Sequence, residues 1–212
     1  MTPRAALERG LEQLTLVLPP NACEQLIAYV MLLAKWNRSY NLTAVREPID
    51  MVSHHLLDSL AVLPHVAPIA SQGRLADAGS GAGLPGIPLA LARPQWHVTL
   101  IESNQKKAAF LRQAAIELRL ANVEVHEGRA ESWQTAAPFA LVISRAFAEL
   151  AGFVAACRHL LAPAGSFAAM KGKKPDAEIK RLPPDVHCRK VVTLRIPFLE
   201  AQRHLVLCEL KA

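Results

Sequence analysis

The spacing of hydrophobic residues changes near residue 70 and divides the chain into two parts. Before that point, apolar residues recur at helical intervals: Leu26, Val30 and Leu33 are separated by steps of four and three, and prolines at 19–20 precede the helix that they predict. After it, short apolar runs alternate with stretches of helical pattern; the runs lie at 74–78, 97–101, 122–126, 139–144 and 165–170. Strands that alternate with helices along a chain predict a parallel sheet.

The last part of the sequence departs from this alternation. Two late apolar runs, at 191–196 and 204–210, have no helical pattern between them, so we expect them to pair antiparallel at the sheet edge. The whole pattern predicts one folding unit of the α/β class. We expect a mostly parallel sheet with helices on both faces in residues 71–212, preceded by an N-terminal helical extension in residues 1–70.

Cysteine usage and hydropathy argue against several broad classes of protein. Glu8 and Glu12 interrupt the region where a signal peptide needs an apolar centre, and the longest uncharged stretches are too polar to cross a membrane. The cysteines are scattered and form no Cys-x-x-Cys pair, which argues against a disulfide framework and a zinc ribbon. They are Cys23, Cys157, Cys188 and Cys208. We therefore expect a cytoplasmic protein with no membrane partner.

Positive charge is concentrated late in the chain. The formal net charge is +6, and residues 171–212 contribute +5, with ten Lys or Arg against five Asp or Glu. Lysine and arginine supply the sequence-independent part of nucleic-acid affinity, so Lys171, Lys173 and Lys174 are candidate phosphate contacts. A solvated surface that keeps the protein in solution explains the same charge equally well.

A glycine-rich turn follows the first predicted strand. Residues 77–88 read DAGSGAGLPGIP, in which Gly79, Gly81 and Gly83 alternate. Glycine lets the main chain approach a ligand closely and adopt a positive φ cheaply. In an open parallel sheet, such a turn lies at the carboxyl ends of the strands, where ligands bind. Glu102 stands 21 residues after Gly81, at a position where a carboxylate accepts hydrogen bonds from ribose hydroxyls.

Two adenosine cofactors, NAD and S-adenosylmethionine, fit this spacing. Residues 81–86 satisfy the dinucleotide pattern Gly-x-Gly-x-x-Gly, so an NAD-binding sensor module is one alternative, and a purely structural turn is another. Asp77 favours S-adenosylmethionine, because a carboxylate there attracts an ammonium group, directly or through water, and repels a pyrophosphate. Pro85 and Pro88 favour it too, since they remove N–H donors that a dinucleotide phosphate uses at a helix N-terminus.

Seven short strings occur in one order along nearly the whole chain. They are NLTAV at 41–45, HLLDSL at 55–60, DAGSGAGLPGIPL at 77–89, ESNQKKAAFL at 102–111, GRAE at 128–131, SRAFA at 144–148 and MKG at 170–172. Together they resemble the bacterial 16S rRNA guanine-N7 methyltransferases of the RsmG (GidB) family. Two positions depart from the family pattern: Leu84 stands where many members have Phe, and Ala164 replaces a frequent Gly.

The resemblance implies a class I S-adenosylmethionine-dependent methyltransferase with a Rossmann-like sheet. It also implies a substrate, guanine 527 in the 530 loop of 16S rRNA, methylated at N7. By this resemblance the cofactor contacts Gly79, Leu84, Ala130, Glu131 and Arg145, and Glu102 holds the ribose. The cofactor-binding residues that we predict are therefore Asp77, Gly79, Gly81, Gly83, Leu84, Glu102, Ala130, Glu131 and Arg145.

Methylation of guanine N7 requires little acid–base chemistry from the protein. N7 carries an in-plane lone pair and no proton, so alignment and charge matter more than a general base. Arg145, at the carboxyl end of the fourth predicted strand, is our candidate catalytic and RNA-binding residue, because a guanidinium hydrogen-bonds base acceptors or stacks on a ring. The alternative role for Arg145 is an ion pair with an acid such as Glu131.

A group of polar residues at 54–58 resembles a metal site only superficially. His54, His55 and Asp58 fall within one helical turn, but no third imidazole or thiolate has a supporting spacing, so we expect no metal. We expect Asp58 to orient its helix against Asn41 or Arg46.

The partner that we expect is 16S rRNA or the small ribosomal subunit, bound by a monomer. A methyltransferase of the same fold that acts on a small molecule or a protein is the remaining alternative. A basic surface around the cofactor site favours RNA, whereas a closed acidic or apolar pocket favours that alternative.

Overall fold

The protein is built around one seven-stranded sheet. A computed structural model of the chain describes residues 1–70 and 73–211. Along the sheet the strands lie in the order β3-β2-β1-β4-β5-β7-β6. Strands β1 to β5 are parallel, and β7 runs antiparallel to both β5 and β6. Their bounds are β1 Arg74–Ala78, β2 His97–Glu102, β3 Val123–Glu127, β4 Phe139–Ser144, β5 Leu161–Lys171, β6 Val186–Leu194 and β7 Arg203–Leu210.

The alternation of strands and helices predicted from the sequence is confirmed for all five parallel strands. The two late strands pair antiparallel as predicted. Of the two, β6 is an edge strand of the sheet, whereas β7 lies inside the sheet between β5 and β6. The earlier late strand also spans Val186–Leu194 rather than 191–196. Its end has a local cause: residues 196–199 form a turn around Pro197, in which the Leu199 N–H donates to the Ile196 carbonyl over 3.2 Å.

Helices precede the sheet and alternate with its strands. The described helices are α1 Pro3–Gln13, α2 Ala22–Tyr40, α3 Pro48–Met51, α4 Asp58–Leu60, α5 Leu63–Val66, α6 Gly86–Ala92, α7 Gln105–Glu117, α8 Leu150–Cys157 and α9 Asp176–Ile179. A π-helical segment, Val52–Leu57, joins α3 to α4. The chain thus enters the sheet only after an N-terminal helical extension, as its 3.6-residue periodicity predicted.

Apolar side chains pack against both faces of the sheet, which confirms the predicted layering. One cluster joins Leu26 and Leu33 of α2 to Leu100 of β2 and to apolar residues of α6 and α7. On the other face, Phe153 of α8 packs edge-on against Phe167 of β5, with ring centroids 5.5 Å apart. The predicted boundary between residues 70 and 71 adjoins residues 71–72, which lie outside the described part of the chain, so the division at that point stays a prediction.

Within residues 1–70 and 73–211, no helix is both long enough and apolar enough to span a membrane.

Candidate active site

The glycine turn connects β1 to α6 at the carboxyl edge of the parallel strands. Gly79 and Gly81 both have positive φ, +71° and +59°. A Cβ on Gly79 would lie 2.9 Å from the Ala146 Cβ, whereas a Cβ on Gly81 would meet only the Gly79 carbonyl oxygen, at 3.9 Å. The main chain at Gly81 therefore borders open space. This leaves room for the close approach of backbone to a ligand that the sequence predicts, and the contact itself stays a prediction.

We call that open space the glycine-loop cavity, and its volume is about 390 Å³. Its wall contains Gly79, Gly81 and Leu84 of the turn, Glu102 at the end of β2, and Arg145 after β4. The wall also contains residues that the sequence did not identify as contacts, among them Leu42 and Thr43 of the N-terminal extension and Lys107 of α7. A glycine cradle beside a carboxylate fits an adenosine-type cofactor.

Glu102 combines burial with free hydrogen-bonding capacity. Its side chain is buried, yet it borders the cavity; Oε2 accepts from the Gly81 N–H and Oε1 from the Asn104 N–H, both over 2.8 Å. A carboxylate oxygen has two acceptor positions, so each oxygen retains one that the main chain does not use. The two backbone bonds also fix the orientation of the carboxylate at the cavity wall, and its contact with a ribose stays a prediction.

Asp77 has a different placement from the other residues of the turn. It is fully buried, does not border the glycine-loop cavity, and accepts the Gly86 N–H on Oδ2 over 2.9 Å. Burial raises its pKa to about 7. Oδ1 has no hydrogen-bond partner among the described residues. The carboxylate therefore fastens the end of β1 to the start of α6, and contact with a methionyl ammonium stays a prediction.

Arg145 separates the glycine-loop cavity from a second one. We call the second the arginine cavity; its volume is about 360 Å³, and its wall contains Val45, His54, His55, Asp58, Arg145, Met170, Lys171, Gly172 and Arg203. Two adjoining spaces that share one guanidinium can hold two reactants on either side of it. This arrangement agrees with the predicted place of Arg145 at the carboxyl end of the fourth strand.

The acid that pairs with Arg145 is Asp58, and not Glu131 as the alternative reading had it. Nη1 of Arg145 donates to Asp58 Oδ2 over 3.1 Å and to the His54 carbonyl over 3.2 Å. The Asp58 side chain is only 1% exposed, and its other oxygen accepts from Nε of Arg203 over 3.0 Å. Asp58 therefore binds two arginines, where the sequence had suggested Asn41 or Arg46 as its neighbours. A buried carboxylate requires such compensation for its charge.

Arg203 is the main residue of this region that sequence reasoning missed. It is the first residue of β7, and its neighbour His204 pairs with Lys171 at the end of β5. The antiparallel direction of β7 therefore returns Arg203 to the carboxyl edge of the parallel strands. Its position in the basic last fifth of the chain was the only signal in the sequence.

The predicted lysines fall into two groups. Lys171 is only 10% exposed, and its ammonium donates to the carbonyls of Phe147 and Ala148 and to Glu178 Oε2, over 2.7 to 3.1 Å. An ammonium has three protons, so contact with a phosphate requires Lys171 to release one of these partners. Lys173 and Lys174 are exposed, and Lys174 forms a surface pair with Asp176.

Charges in the last fifth of the chain do not form one surface. Lys171, Lys173 and Arg203 lie at or just beyond the carboxyl edge. Arg189 pairs with Glu209, and the backbone N–H of Lys211 donates to the Asp185 carbonyl, toward the opposite edge. Strands β6 and β7 run the length of the sheet and carry their charges to both edges. The sequence suggested a single basic pole, and the structure divides it.

The pair after the third strand lies near the turn but outside the glycine-loop cavity wall. Ala130 is buried and Glu131 is exposed in a 3₁₀ turn, Ala130–Ser132, that follows β3. The Gly128 N–H bonds to the Glu102 carbonyl over 3.0 Å, so this segment starts beside the end of β2. Contact between Ala130 or Glu131 and a cofactor stays a prediction.

The loop at 41–46 is held against the site by hydrogen bonds. Thr43 Oγ1 lies 2.9 Å from Nε2 of His55, and burial lowers the pKa of His55 to about 4, so the imidazole is neutral near pH 7. Within residues 1–70 and 73–211, no three His, Cys, Asp or Glu side chains cluster in a way that could hold a metal ion.

A larger cavity, of about 530 Å³, lies toward the opposite edge of the sheet. Its wall includes Pro64, Ser166 and Lys190, and none of the predicted site residues borders it. Because the glycine turn and the strand carboxyl ends lie elsewhere, its size alone does not make it the ligand site.

Sequence comparison decides the family of this chain. Residues 22–206 match the model of the GidB family, described as rRNA small subunit methyltransferase G. The chain belongs to this family. It is 54% identical over 200 residues to ribosomal RNA small subunit methyltransferase G of Methylobacillus flagellatus, covering 94% of this chain and 95% of that protein. The protein of the same name from Laribacter hongkongensis is 51% identical over 206 residues, covering 97% and 98%.

Solved structures support the fold. The O-methyltransferase TomG of Streptomyces achromogenes superposes with a TM-score of 0.61 at 16% identity, covering 100% of both chains. TrmN of Thermus thermophilus superposes with a TM-score of 0.55 at 19% identity, covering 75% of this chain and 53% of that one. Together with GidB family membership, the class I fold makes this chain an S-adenosylmethionine-dependent methyltransferase. This outcome excludes the NAD-binding sensor module that the glycine pattern had left open.

Proposed function

We propose that this protein methylates N7 of a guanine in 16S ribosomal RNA, guanine 527 of the 530 loop, with S-adenosylmethionine as methyl donor. The observation that carries the proposal is the position of Arg145 in the wall between two adjoining cavities. One cavity has the features of an adenosine site, and the other is lined by arginines that suit a purine base and its phosphate. The proposal also takes its RNA substrate from the names of the relatives, and it includes a location in the bacterial cytoplasm.

The glycine-loop cavity is the cofactor side of the proposed site. When bound, S-adenosylmethionine supplies an electrophilic methyl group on a sulfonium. Gly79, Gly81 and Leu84 border that space with main chain and an apolar side chain, and Glu102 accepts from the ribose hydroxyls through its unused acceptor positions. Gly83, Ala130 and Glu131 remain proposed contacts, and Asp77 acts by holding the turn that carries Gly81.

The arginine cavity is the base side of the proposed site. Guanine presents an acceptor at O6 to which a guanidinium can donate, and such a contact leaves the N7 lone pair free to attack the methyl group. Arg145 bonds to Asp58 through Nη1, so the N–H groups on Nε and Nη2 of the same guanidinium remain for a ligand. Asp58 is a positioning residue: it binds Arg145 on one oxygen and Arg203 on the other, and so fixes the two guanidinium groups relative to each other.

Chemistry of this kind needs alignment more than proton transfer. N7 has no proton to remove, so the protein has to hold the base in line and accommodate the positive charge that develops on it. The buried Asp58 carboxylate binds both arginines and offsets one of their two positive charges, which lowers the positive charge of the arginine cavity beside that base. Exposed Lys173 and Lys174 follow the end of β5 and are the proposed phosphate contacts, with Lys171 bracing the segment before them.

Methyl transfer to small ribosomal subunits tests the proposal. Subunits from a bacterium that lacks the corresponding methyltransferase are incubated with the protein and S-adenosylmethionine tritiated in its methyl group, and the labelled nucleotide is mapped. We expect label at N7 of guanine 527. Arg145→Ala should lower kcat/KM for the subunit about 100-fold, as loss of one well-placed polar group does, with cofactor affinity changed far less. Label confined to another nucleotide or to protein would contradict the proposal.

A further inference from the structure

A groove beside the proposed site is lined by cations from the N-terminal extension. We call it the α2 groove: it has a volume of about 490 Å³, and Lys35, Arg38, Arg46 and Glu47 are its charged wall residues, with Met31 also in the wall. All three cations are exposed, whereas none of the predicted RNA-binding residues belongs to this part of the chain. Three positive charges against one negative charge make the groove a cationic surface.

The cations of the α2 groove are free to bind a partner. Among the described residues, none of the three forms a salt bridge of the kind that joins Arg4 to Glu8 or Arg112 to Glu127, so no ion pair has to break before they bind. A helix C-terminus attracts positive charge, which accounts for Arg38 in the last turn of α2. That effect does not account for Arg46, which lies outside the helix on the facing loop.

The α2 groove and both cavities share one loop. In that loop, Leu42 and Thr43 border the glycine-loop cavity, Val45 borders the arginine cavity, and Arg46 borders the groove. Buried Asn37 fixes the loop: its Nδ2 donates to the Val45 carbonyl over 3.2 Å, and its Oδ1 accepts the Thr43 N–H over 2.9 Å. The groove therefore adjoins the arginine cavity, within reach of a polymer whose base enters that cavity.

We infer that the α2 groove is a docking surface for the sugar–phosphate backbone of the RNA substrate. The inference rests on the proposed function, since it assumes an RNA whose target base lies in the arginine cavity. Charge complementarity selects this occupant, because Lys35, Arg38 and Arg46 match a chain of phosphates. The N-terminal extension thus contributes to substrate affinity as well as covering one face of the sheet.

Salt dependence of RNA binding separates this role from a merely solvated surface. Dissociation constants for 16S rRNA and for small subunits are measured over a range of salt concentrations with the full chain and with a Lys35→Gln, Arg38→Gln, Arg46→Gln variant. Each phosphate contact contributes about 0.7 to 0.9 to the slope of log affinity against log salt, so we expect the slope to fall by about 2 to 3. Affinity for S-adenosylmethionine should stay unchanged, because none of the three residues borders the glycine-loop cavity.

Two further variants control for charge and for folding. Arg189→Gln, Lys190→Gln, Lys211→Gln removes three cations away from the carboxyl edge and should leave the slope unaltered. Glu47→Gln removes the one acid of the α2 groove and should strengthen RNA binding. Equal slopes for the groove variant and the distant variant, or no gain from Glu47→Gln, would overturn the inference. Absence of methyl transfer by the unaltered protein would instead overturn the proposed function.

Discussion

Two acidic residues of the site show how environment assigns different roles to the same chemical group. Glu102 borders the glycine-loop cavity and accepts two backbone N–H groups, whereas Asp77 is enclosed by the turn, and burial raises its pKa to about 7. The sequence predicted both as cofactor residues, Asp77 for an ammonium group and Glu102 for ribose hydroxyls. Whether a carboxylate faces the ligand or the turn depends on side-chain packing that spacing does not reveal.

Substitution of Glu102 tests the cofactor side of the site. Glu102→Ala should raise the dissociation constant for S-adenosylmethionine about 10- to 100-fold, since hydrogen bonds to a charged group contribute about 1.5–3 kcal/mol. Equilibrium dialysis measures the change, and Glu117→Ala on the exposed end of α7 is the control. Comparable losses for both variants would remove the special role of Glu102.

Stability against pH tests the burial of Asp77 and His55. The pKa of His55 is lowered from 6.5 to about 4, so the unfolded chain binds the extra proton and stability falls as pH drops from about 6.5. The pKa of Asp77 is raised from 3.8 to about 7, so the folded chain binds the extra proton and stability falls as pH rises toward 7. Between about pH 4 and 6.5 the two effects oppose each other.

Single variants should separate these opposing effects in urea unfolding. Asp77→Asn leaves the histidine effect, so the free energy of unfolding should rise with pH between about 4 and 6.5. His55→Gln leaves the carboxylate effect, so it should fall over the same range. Identical pH profiles for the two variants would show that at least one group is not buried in this way.

At the scale of elements, the hydrophobic pattern was sufficient for the helices and the five parallel strands, because each depends on local periodicity. It was insufficient for the place of β7 in the sheet. It also gave no sign of the bonds from Asp58 to Arg145 and Arg203. The first pair is separated by 87 positions in sequence and the second by 145. Such pairs depend on how finished elements meet, and the periodicity of one element does not contain that information.

Removal of a single oxygen atom tests the contact between α2 and the glycine turn. The buried Tyr29 hydroxyl donates to the Ala82 carbonyl over 2.6 Å and so joins the N-terminal extension to the turn. Tyr29→Phe should cost about 1–3 kcal/mol of unfolding free energy, because the carbonyl loses its partner where water does not reach. It should also weaken binding of S-adenosylmethionine.

Tyr40→Phe supplies the matched comparison, since the Tyr40 side chain is exposed at the end of the same helix. Chemical denaturation and equilibrium dialysis are made on both variants. Equal stability of the two would mean that the Tyr29 bond does not fasten α2 to the turn.

For the whole molecule, the distribution of charge relates the fold to a polyanionic substrate. Cations surround the proposed site from separate segments: Lys107 in α7, Lys173 and Lys174 after β5, and the α2 groove. The net charge of +6 indicates affinity for RNA, but only the fold brings charges from different parts of the chain to one side of the sheet.

Removal of the two lysines after β5 should weaken RNA binding without affecting the cofactor. Lys173→Ala with Lys174→Ala should reduce the salt slope by about 1 to 2, and less if the Lys174–Asp176 pair persists in the complex. Filter binding to 16S rRNA measures it, beside equilibrium dialysis with S-adenosylmethionine. A loss of cofactor affinity as large as that of Glu102→Ala would contradict this division of labour.

The entry of β7 between β5 and β6 also has a consequence for biosynthesis. Arg203 begins that strand, so a nascent chain lacks one wall of the arginine cavity until the ribosome has translated the segment through Leu210. A partly made polypeptide that already presents the glycine turn holds Asp58 with only one of its two arginine partners. The arginine cavity is therefore complete only after β7 has been translated.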